Sequence, residues 1–144
     1  MTRIYPKLSG LLPEMRVVAI LHLARIEARG LTAIVTSGWR SPQEQVALYE
    51  QGRKLDALGI WQVDDHAHVV TNALPARAPH CRGAAYDLCP IVAEKCAWDR
   101  LDLFQAIADC ARGLPLVWGG SWKFKDLPHF EMPNWRDLPL KETA

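Results

Sequence analysis

The sequence of 144 residues has no long hydrophobic run and no strong excess of charge. Its longest apolar stretch, from about Val17 to Ala24, is interrupted by His22 and is too short for a membrane span. As a signal peptide it is also a poor match, because a long polar lead precedes it and no small-residue cleavage site follows. We therefore expect a protein that is made in the cytoplasm without its own export signal and that has no membrane span.

The formal net charge is only +1, and the cationic residues are scattered along the chain. Nucleic-acid-binding proteins instead carry a basic patch or stripe, so nucleic acid is not an expected partner. A hydrophobic content of 49% and a charged content of 23% are ordinary for a soluble globular protein. The length fits one compact domain, and no repeat, low-complexity tract or linker divides it. We predict a single domain over residues 1–144, acting as a monomer.

The sequence also lacks any CxxC pair, which argues against a structural zinc site built from its four cysteines. In a cytoplasmic product, Cys81, Cys89, Cys96 and Cys110 are most simply reduced thiols in or near the core. A disulfide stays open if the protein works outside the cell. Cys81, next to His80, is a conceivable competitor for a metal ion.

Helical and strand patterns alternate irregularly along the chain. A first helix is predicted from Pro13 to near Gly30, and its apolar stripe comprises Val17, Ile20, Leu21, Ala24 and Ala28. Ser41, with Glu44 three residues later, marks the start of a second helix that runs to about residue 52. A third helix is predicted from the N-cap Asp99 to before Gly113, and it buries Leu103, Phe104 and Ile107. Strands are predicted at residues 32–37, 68–72, 84–89, 116–118 and 129–132, whereas residues 53–67 are expected to be irregular.

This order lacks regular βαβ alternation. It favours an α+β domain with a small, largely antiparallel sheet flanked by about three helices.

Three separated residues form a ligand set for a metal. His80 and Asp87 lie in the string PHCRGAAYDLCP, and His129 lies in KDLPHFEM. Two histidines and one carboxylate are a ligand set of catalytic zinc, with one position left for water. Asp126, three residues before His129, is placed to handle protons beside that water. Each residue alone has an ordinary structural alternative, a hydrogen-bonded histidine or a turn-forming aspartate, and the helical HEXXH motif is absent.

Other polar residues could support such a site. Arg40 lies between a predicted strand and a capped helix, where it could polarise a carbonyl, bind a substrate carboxylate, or simply form a surface salt bridge. His66 and His68, in DDHAH, form either a second metal site or a solvated loop. Three tryptophans lie near the site strings and could wall a cleft or pack in the core: Trp39, Trp118 and Trp122.

Taken together, these strings resemble the LAS metallopeptidases of family M15. TSGWRSPQEQVALYEQGR resembles the arginine block of that family, VVTNALPARAPHCRGAAYDL the first two zinc ligands, and WGGSWKFKDLPHFEM the catalytic acid and third ligand. The resemblance runs from about residue 31 to 132, in the family's order. It is strongest to the small phage endolysins that act as L-alanyl-D-glutamate peptidases.

The resemblance implies Zn²⁺ bound by His80, Asp87 and His129. It implies Asp126 as general base and acid, and Arg40 as the residue that steadies substrate and oxyanion. Gln45 matches a polar position near that arginine, and we expect Gln45 and Trp118 to contact substrate. The family commonly has serine two residues before the first histidine, where this chain has Ala78, so a hydroxyl group is missing from this position of the expected site.

The expected activity is zinc-dependent cleavage of the stem peptide of bacterial peptidoglycan, between L-Ala and D-Glu, in host lysis or wall remodelling. Without an export signal, the enzyme needs a holin-like pore or a virion to reach the wall. Two alternatives stay open. One is a D-Ala-D-Ala dipeptidase or carboxypeptidase with the same machinery. The other is a non-catalytic zinc-containing module that binds the wall, in which a protein ligand such as Cys81 fills the water position.

Overall fold

The computed structural model describes residues 5–143, which contain three α-helices and seven β-strands. The helices are α1 (Pro13–Ala28), α2 (Pro42–Glu50) and α3 (Leu101–Asp109). The strands are β1 (Ala33–Ser37), β2 (Arg53–Leu55), β3 (Trp61–Val63), β4 (Ala85–Val92), β5 (Lys95–Cys96), β6 (Val117–Trp118) and β7 (His129–Glu131). No helix in this part of the chain is long and apolar enough to cross a bilayer.

One antiparallel sheet organises the fold. Its order is β1-β4-β7-β6, and the short strand β5 pairs with the far end of β4. Strands β2 and β3 form a separate antiparallel hairpin. The predicted α+β architecture with a small antiparallel sheet is therefore confirmed, and β4 lies at the centre of the main sheet.

Helix α2 begins as its sequence predicts. The Ser41 hydroxyl accepts a hydrogen bond from the Glu44 backbone N–H at 3.1 Å and donates to the Glu44 carboxylate at 3.1 Å. Pro42 occupies the first turn, where its missing N–H has no intrahelical partner to lose. This start matters for the site because α2 follows Arg40 directly and carries Gln45.

The buried face of α1 differs from the predicted stripe. Val17, Ile20 and Leu21 are 58%, 53% and 47% exposed. The residues that α1 buries are instead Met15, Ala19, His22, Leu23 and Ile26. Each of these five residues lies three or four positions from another of them, as one face of a helix requires, but one of them is a histidine. A prediction that counts only apolar residues therefore favours the other face.

His22 is buried because both of its ring nitrogens have partners. Its Nε2–H donates to the Ile107 carbonyl at 2.8 Å, so Nδ1 of the neutral ring accepts from the Tyr86 hydroxyl at 2.8 Å. Burial lowers the pKa of His22 to about 4, although the hydrogen bond to Ile107 acts in the opposite direction. The helix α1, strand β4 and helix α3 are thus joined by a neutral imidazole.

We expect this histidine to make the fold acid-sensitive between about pH 6.5 and pH 4. In that window the unfolded chain binds a proton at His22 that the native protein excludes, so stability falls as the pH falls. The full loss is roughly 3 kcal/mol, because folding lowers the pKa of His22 from 6.5 to about 4. Urea unfolding at a series of pH values measures it. A His22→Gln protein, although less stable at pH 7, should show a shallower pH dependence in this window, and equal slopes for both proteins would contradict the assignment.

Three local predictions were wrong. Residues 53–67, expected to be irregular, contain the β2–β3 hairpin, whose turn is stabilised by the Asp56 carboxylate accepting from the N–H groups of Leu58 and Ile60. The strand expected at residues 68–72 is absent, and His66–His68 instead form a 3₁₀ turn. Helix α3 also begins later than predicted, with Arg100 rather than Asp99 at its N-cap.

Candidate metal centre

Sheet register brings two of the three predicted ligands together. Asp87 on β4 is the direct cross-strand partner of His129 on β7. His80 comes from the 3₁₀ turn Pro79–Arg82, which ends at Gly83 with φ +68°. That left-handed conformation favours glycine and lets the chain turn back into β4. The turn and the strand pair therefore direct three side chains from different parts of the chain to one point.

The three donors have the separations that one metal ion requires. The Asp87 Oδ1 atom lies 3.3 Å from His80 Nε2 and 3.1 Å from His129 Nδ1, and all three ligand atoms lie within 4.8 Å of one another. Tetrahedral ligands at zinc–ligand distances near 2.0–2.1 Å are roughly 3.3 Å apart. Among residues 5–143, this is the only group of three or more His, Cys, Asp or Glu side chains so arranged. In the same range, His66 and His68 do not form a second such group, and His68 is hydrogen-bonded to the Asp65 carboxylate, which leaves the loop as the alternative that agrees with the structure.

Both histidines are oriented by hydrogen bonds at the nitrogen that faces away from the site. His80 donates from Nδ1 to the Gly38 carbonyl at 2.8 Å, and His129 donates from Nε2 to the Glu131 carboxylate at 2.8 Å. These bonds leave His80 Nε2 and His129 Nδ1 available as ligands. The sequence reading missed Glu131. The pattern His-x-Glu on a strand could have revealed it, because alternate residues share one face.

The charges around the site suit a cation. Burial alone would raise the pKa of Asp87, but hydrogen bonds with His129 and His80 outweigh it and hold that pKa below its usual range. Burial, the largest single influence, lowers the pKa of His129, but the hydrogen bonds with Asp87 and Glu131 together with the charges of Asp87 and Asp126 outweigh it and raise that pKa to about 9. Without metal, His129 is therefore protonated at neutral pH, and it must release a proton when a metal binds.

We expect Glu131→Gln to weaken metal binding by roughly 10–100-fold, because the His129 ring loses the carboxylate that fixes its orientation and increases its basicity. Competition of the protein with a zinc chelator of known affinity measures the change. Glu50→Gln, at an exposed carboxylate on α2, is the matched control and should leave the affinity unchanged. Equal affinities for the Glu131→Gln and Glu50→Gln proteins would contradict the role given to Glu131.

Asp126 is held beside the ligands by its backbone. Its N–H donates to the Gly119 carbonyl at 3.0 Å, and its own carbonyl accepts from the His129 N–H at 3.2 Å. Loss of hydration raises the pKa of Asp126, His129 opposes this rise, and the Asp87 carboxylate adds to it. A raised pKa makes the Asp126 carboxylate a stronger base, which suits a group that accepts a proton and then returns it.

Arg40 is fixed by two side chains. Its guanidinium donates to the Gln45 amide oxygen at 2.9 Å and to the Ser37 hydroxyl at 3.1 Å. Gln45 is buried, and its amide nitrogen donates in turn to the Ala73 carbonyl at 2.7 Å. The structure thus shows Gln45 orienting Arg40, although its side chain also lines the cleft described next.

A cleft of about 780 Å³ contains these groups. Its lining includes the predicted residues Arg40, Gln45, His80, Asp87, Asp126 and His129, together with Glu131 and Trp122. The Trp122 ring centroid lies 5.4 Å from that of His129, so this tryptophan walls the cleft next to a ligand.

Trp118 does not line this cleft. Its indole N–H donates to the Leu127 carbonyl at 2.7 Å, which ties β6 to the segment that carries Asp126. Trp39 likewise lies outside the cleft, and its indole N–H donates to the Lys141 carbonyl at 2.9 Å. Cys81 is buried next to His80, but its sulfur is not among the convergent ligand atoms, and burial raises the pKa of its thiol.

Two histidines and a carboxylate at one point, with a carboxyl group and a guanidinium in the same cleft, define a class of protein. They are the parts of a hydrolase that uses a single metal ion.

Residues 71–132 match the M15 peptidase family that is described as D-alanyl-D-alanine carboxypeptidase. The chain is also 31% identical over 141 residues to the peptidoglycan L-alanyl-D-glutamate endopeptidase CwlK of Bacillus subtilis (strain 168), covering 90% of this chain and 78% of CwlK. The chain belongs to the M15 family of LAS-type metallopeptidases.

Solved structures agree with this assignment. The L-Ala D-Glu endopeptidase ChiX of Serratia marcescens aligns with a TM-score of 0.64 and 26% identity, over 91% of this chain and 86% of ChiX. The vancomycin-resistance D,D-pentapeptidase VanY, solved in complex with Zn(II), aligns with a TM-score of 0.62 over 85% of this chain and 72% of VanY. At 14% identity, the likeness to VanY concerns the fold alone.

Proposed function

We propose that this peptidase is a zinc enzyme that hydrolyses the stem peptide of bacterial peptidoglycan between L-Ala and D-Glu. The observation that carries the proposal is the convergence of His80, Asp87 and His129 beside Asp126 in one open cleft. The choice of bond is supported by CwlK and ChiX, which are both named as endopeptidases for it.

The donor set supports zinc as the metal, because two imidazoles and one carboxylate are a common set for catalytic zinc. When bound, zinc supplies the Lewis acidity that polarises a scissile carbonyl and makes water a nucleophile at neutral pH. The Asp126 carboxylate accepts the proton of the attacking water and then returns it to the nitrogen of the leaving D-Glu. Arg40 keeps guanidinium N–H groups beyond those bonded to Gln45 and Ser37, and these can stabilise negative charge on the carbonyl oxygen.

The expected site of action is the cell wall, and a role in host lysis, like that of the endolysins that the sequence resembles, is part of the same proposal. Cytoplasmic expression alone should leave bacteria intact, whereas co-expression with a pore-forming membrane protein should lyse them. Lysis that is equally fast with an Asp126→Asn protein would contradict a peptidase-dependent role.

Mass spectrometry of fragments from purified peptidoglycan tests the bond directly. The zinc-loaded protein should produce new N-terminal D-Glu, and a chelated sample should not. Intact L-Ala–D-Glu bonds after digestion, with the protein zinc-loaded, would contradict the proposal.

A second candidate is a carboxypeptidase that releases terminal D-Ala, and the description of the family that matches residues 71–132 favours it. The two activities leave different products from the same peptidoglycan. Free D-Ala without N-terminal D-Glu would replace the first proposal with this one. A non-catalytic wall-binding module is less well supported, because Cys81 is not among the convergent ligand atoms that could close the site.

A further inference from the structure

Two arginines in the cleft have no part in the site described above. Arg77 and Arg136 both line the cleft that holds the metal ligands, and both are exposed. Within residues 5–143, neither guanidinium is paired with a carboxylate or hydrogen-bonded to another group. Arg40, in contrast, is already bonded to Gln45 and Ser37. The cleft therefore presents two cationic groups that are free to meet a ligand.

A third arginine ties together the segments that carry these two. Arg82 is only 9% exposed, and its guanidinium donates to the carbonyls of Ala76 at 2.8 Å and Leu138 at 3.0 Å. It also donates to the carbonyls of Pro75 and Ala78, which flank Arg77. We call this set of bonds the Arg82 clamp. The clamp holds the 3₁₀ turn Pro75–Arg77 against the chain that follows the 3₁₀ turn Trp135–Asp137.

Trp135 adds a second restraint on Arg136. The Arg136 guanidinium carbon lies 4.3 Å from the Trp135 ring centroid, and the Arg82 guanidinium carbon lies 5.0 Å from the same centroid. Stacking on an aromatic ring holds a guanidinium in place while its N–H groups stay free for hydrogen bonds. The Arg136 guanidinium and the backbone that carries Arg77 are thus held in place before a ligand arrives, which reduces the entropy lost on binding.

We propose that Arg77 and Arg136 form a carboxylate-binding subsite for the stem peptide beyond the bond that is cut. Guanidinium groups bind carboxylates through paired, charge-assisted hydrogen bonds, and a cleft with unpaired cations attracts anionic ligands. The proposal rests on the proposed function, because that peptide carries a free α-carboxylate on D-Glu and, where the next residue is diaminopimelate, a second free carboxylate there. The enzyme then prefers stem peptides in which these carboxylates are free over peptides in which they are amidated.

Binding to an inactive protein tests the subsite independently of turnover. Calorimetry measures the Kd of zinc-loaded Asp126→Asn protein for three synthetic stem peptides: one with both carboxylates free, one amidated at D-Glu, and one amidated at the diamino acid. Added in that background, Arg77→Gln and Arg136→Gln should each raise the Kd for the free-acid peptide by roughly tenfold, the loss of a charge-assisted hydrogen bond. Arg112→Gln, at an exposed arginine outside the cleft, is the matched control and should have no effect.

The two amidated peptides show which carboxylate is bound. The substitutions should have little effect on the Kd for the peptide that already lacks the recognised carboxylate, since that contact is lost in both cases. Equal rises in Kd for all three peptides, or no rise for any of them, would overturn the subsite. Cleavage of the free-acid peptide by the parent enzyme is assayed in parallel. Failure of cleavage alone would overturn the proposed function and leave the subsite supported by its binding pattern.

Discussion

Replacing Asp126 with Asn is expected to lower kcat for stem-peptide cleavage by about 10²–10⁴-fold while zinc stays bound. Asn keeps the size of the side chain but cannot accept the proton of the attacking water. The three ligand atoms belong to His80, Asp87 and His129, so the metal site itself is not altered. The measurement is kcat on a synthetic stem peptide, together with the zinc content of the same protein sample.

The control for this change is Asp99→Asn, which removes an exposed carboxylate before α3 and should leave both values unchanged. Near-parent kcat for the Asp126→Asn protein would remove Asp126 from the mechanism. Loss of zinc together with activity would instead make Asp126 a determinant of the metal site.

Gly119→Ala is expected to lower kcat by roughly 10²-fold, although Gly119 is not one of the three ligand residues and does not line the cleft. A Cβ atom at this position would lie 2.4 Å from the Asp126 carbonyl oxygen and 3.2 Å from the His129 Cβ atom. The backbone that carries the proton acceptor must then move, and a misplacement of about 1 Å can lower a rate by about 10²-fold. The effect should appear in kcat more than in KM, because the groups that bind the rest of the substrate are unchanged.

Gly59→Ala is the matched control for this substitution. A Cβ at Gly59 has no atom within 4 Å, so the change strains only a left-handed backbone with φ +77°. Unfolding curves for both variants separate a folding defect from a misplaced Asp126. A Gly119→Ala protein that is as stable and as active as the Gly59→Ala protein would show that the close approach at Gly119 is unimportant.

The ligand set could be predicted because each ligand lies in a short motif and the motifs follow the order of a known family. The meeting of Asp87 and His129 also follows from their strands, since β4 and β7 pair directly. The hydrogen bond between His129 and Glu131 could have been predicted in the same way, because residues two apart on a strand lie on the same face.

Other features depend on partners that are distant in the sequence. The buried face of α1 includes His22, whose partners Tyr86 and Ile107 lie 64 and 85 residues away. No local pattern could show that this histidine would be satisfied in the core. The hydrogen bond between Gln45 and Arg40 could not be predicted for the same reason. It depends on the orientation of the Gln45 amide, which is held by a hydrogen bond to the carbonyl of Ala73, 28 residues away.

The position of Trp118 likewise depends on a bond that the sequence does not display. Because Trp118 lies near the site motif in the sequence, it was expected to line the cleft or to pack in the core. Its indole N–H is hydrogen-bonded to the Leu127 carbonyl, and Trp122 lines the cleft instead. A substrate contact for Trp118 stays a prediction. The structure points more directly to Trp122 for that role.

A zinc titration of the metal-free protein tests the central claim most directly. Amine release from peptidoglycan should rise in proportion to added zinc and stop rising at one equivalent per chain, since His80, Asp87 and His129 form a single site. A His80→Ala protein should stay inactive throughout the titration. Binding of one zinc per chain without any amine release would contradict the account of this cleft as the active site of a metallopeptidase.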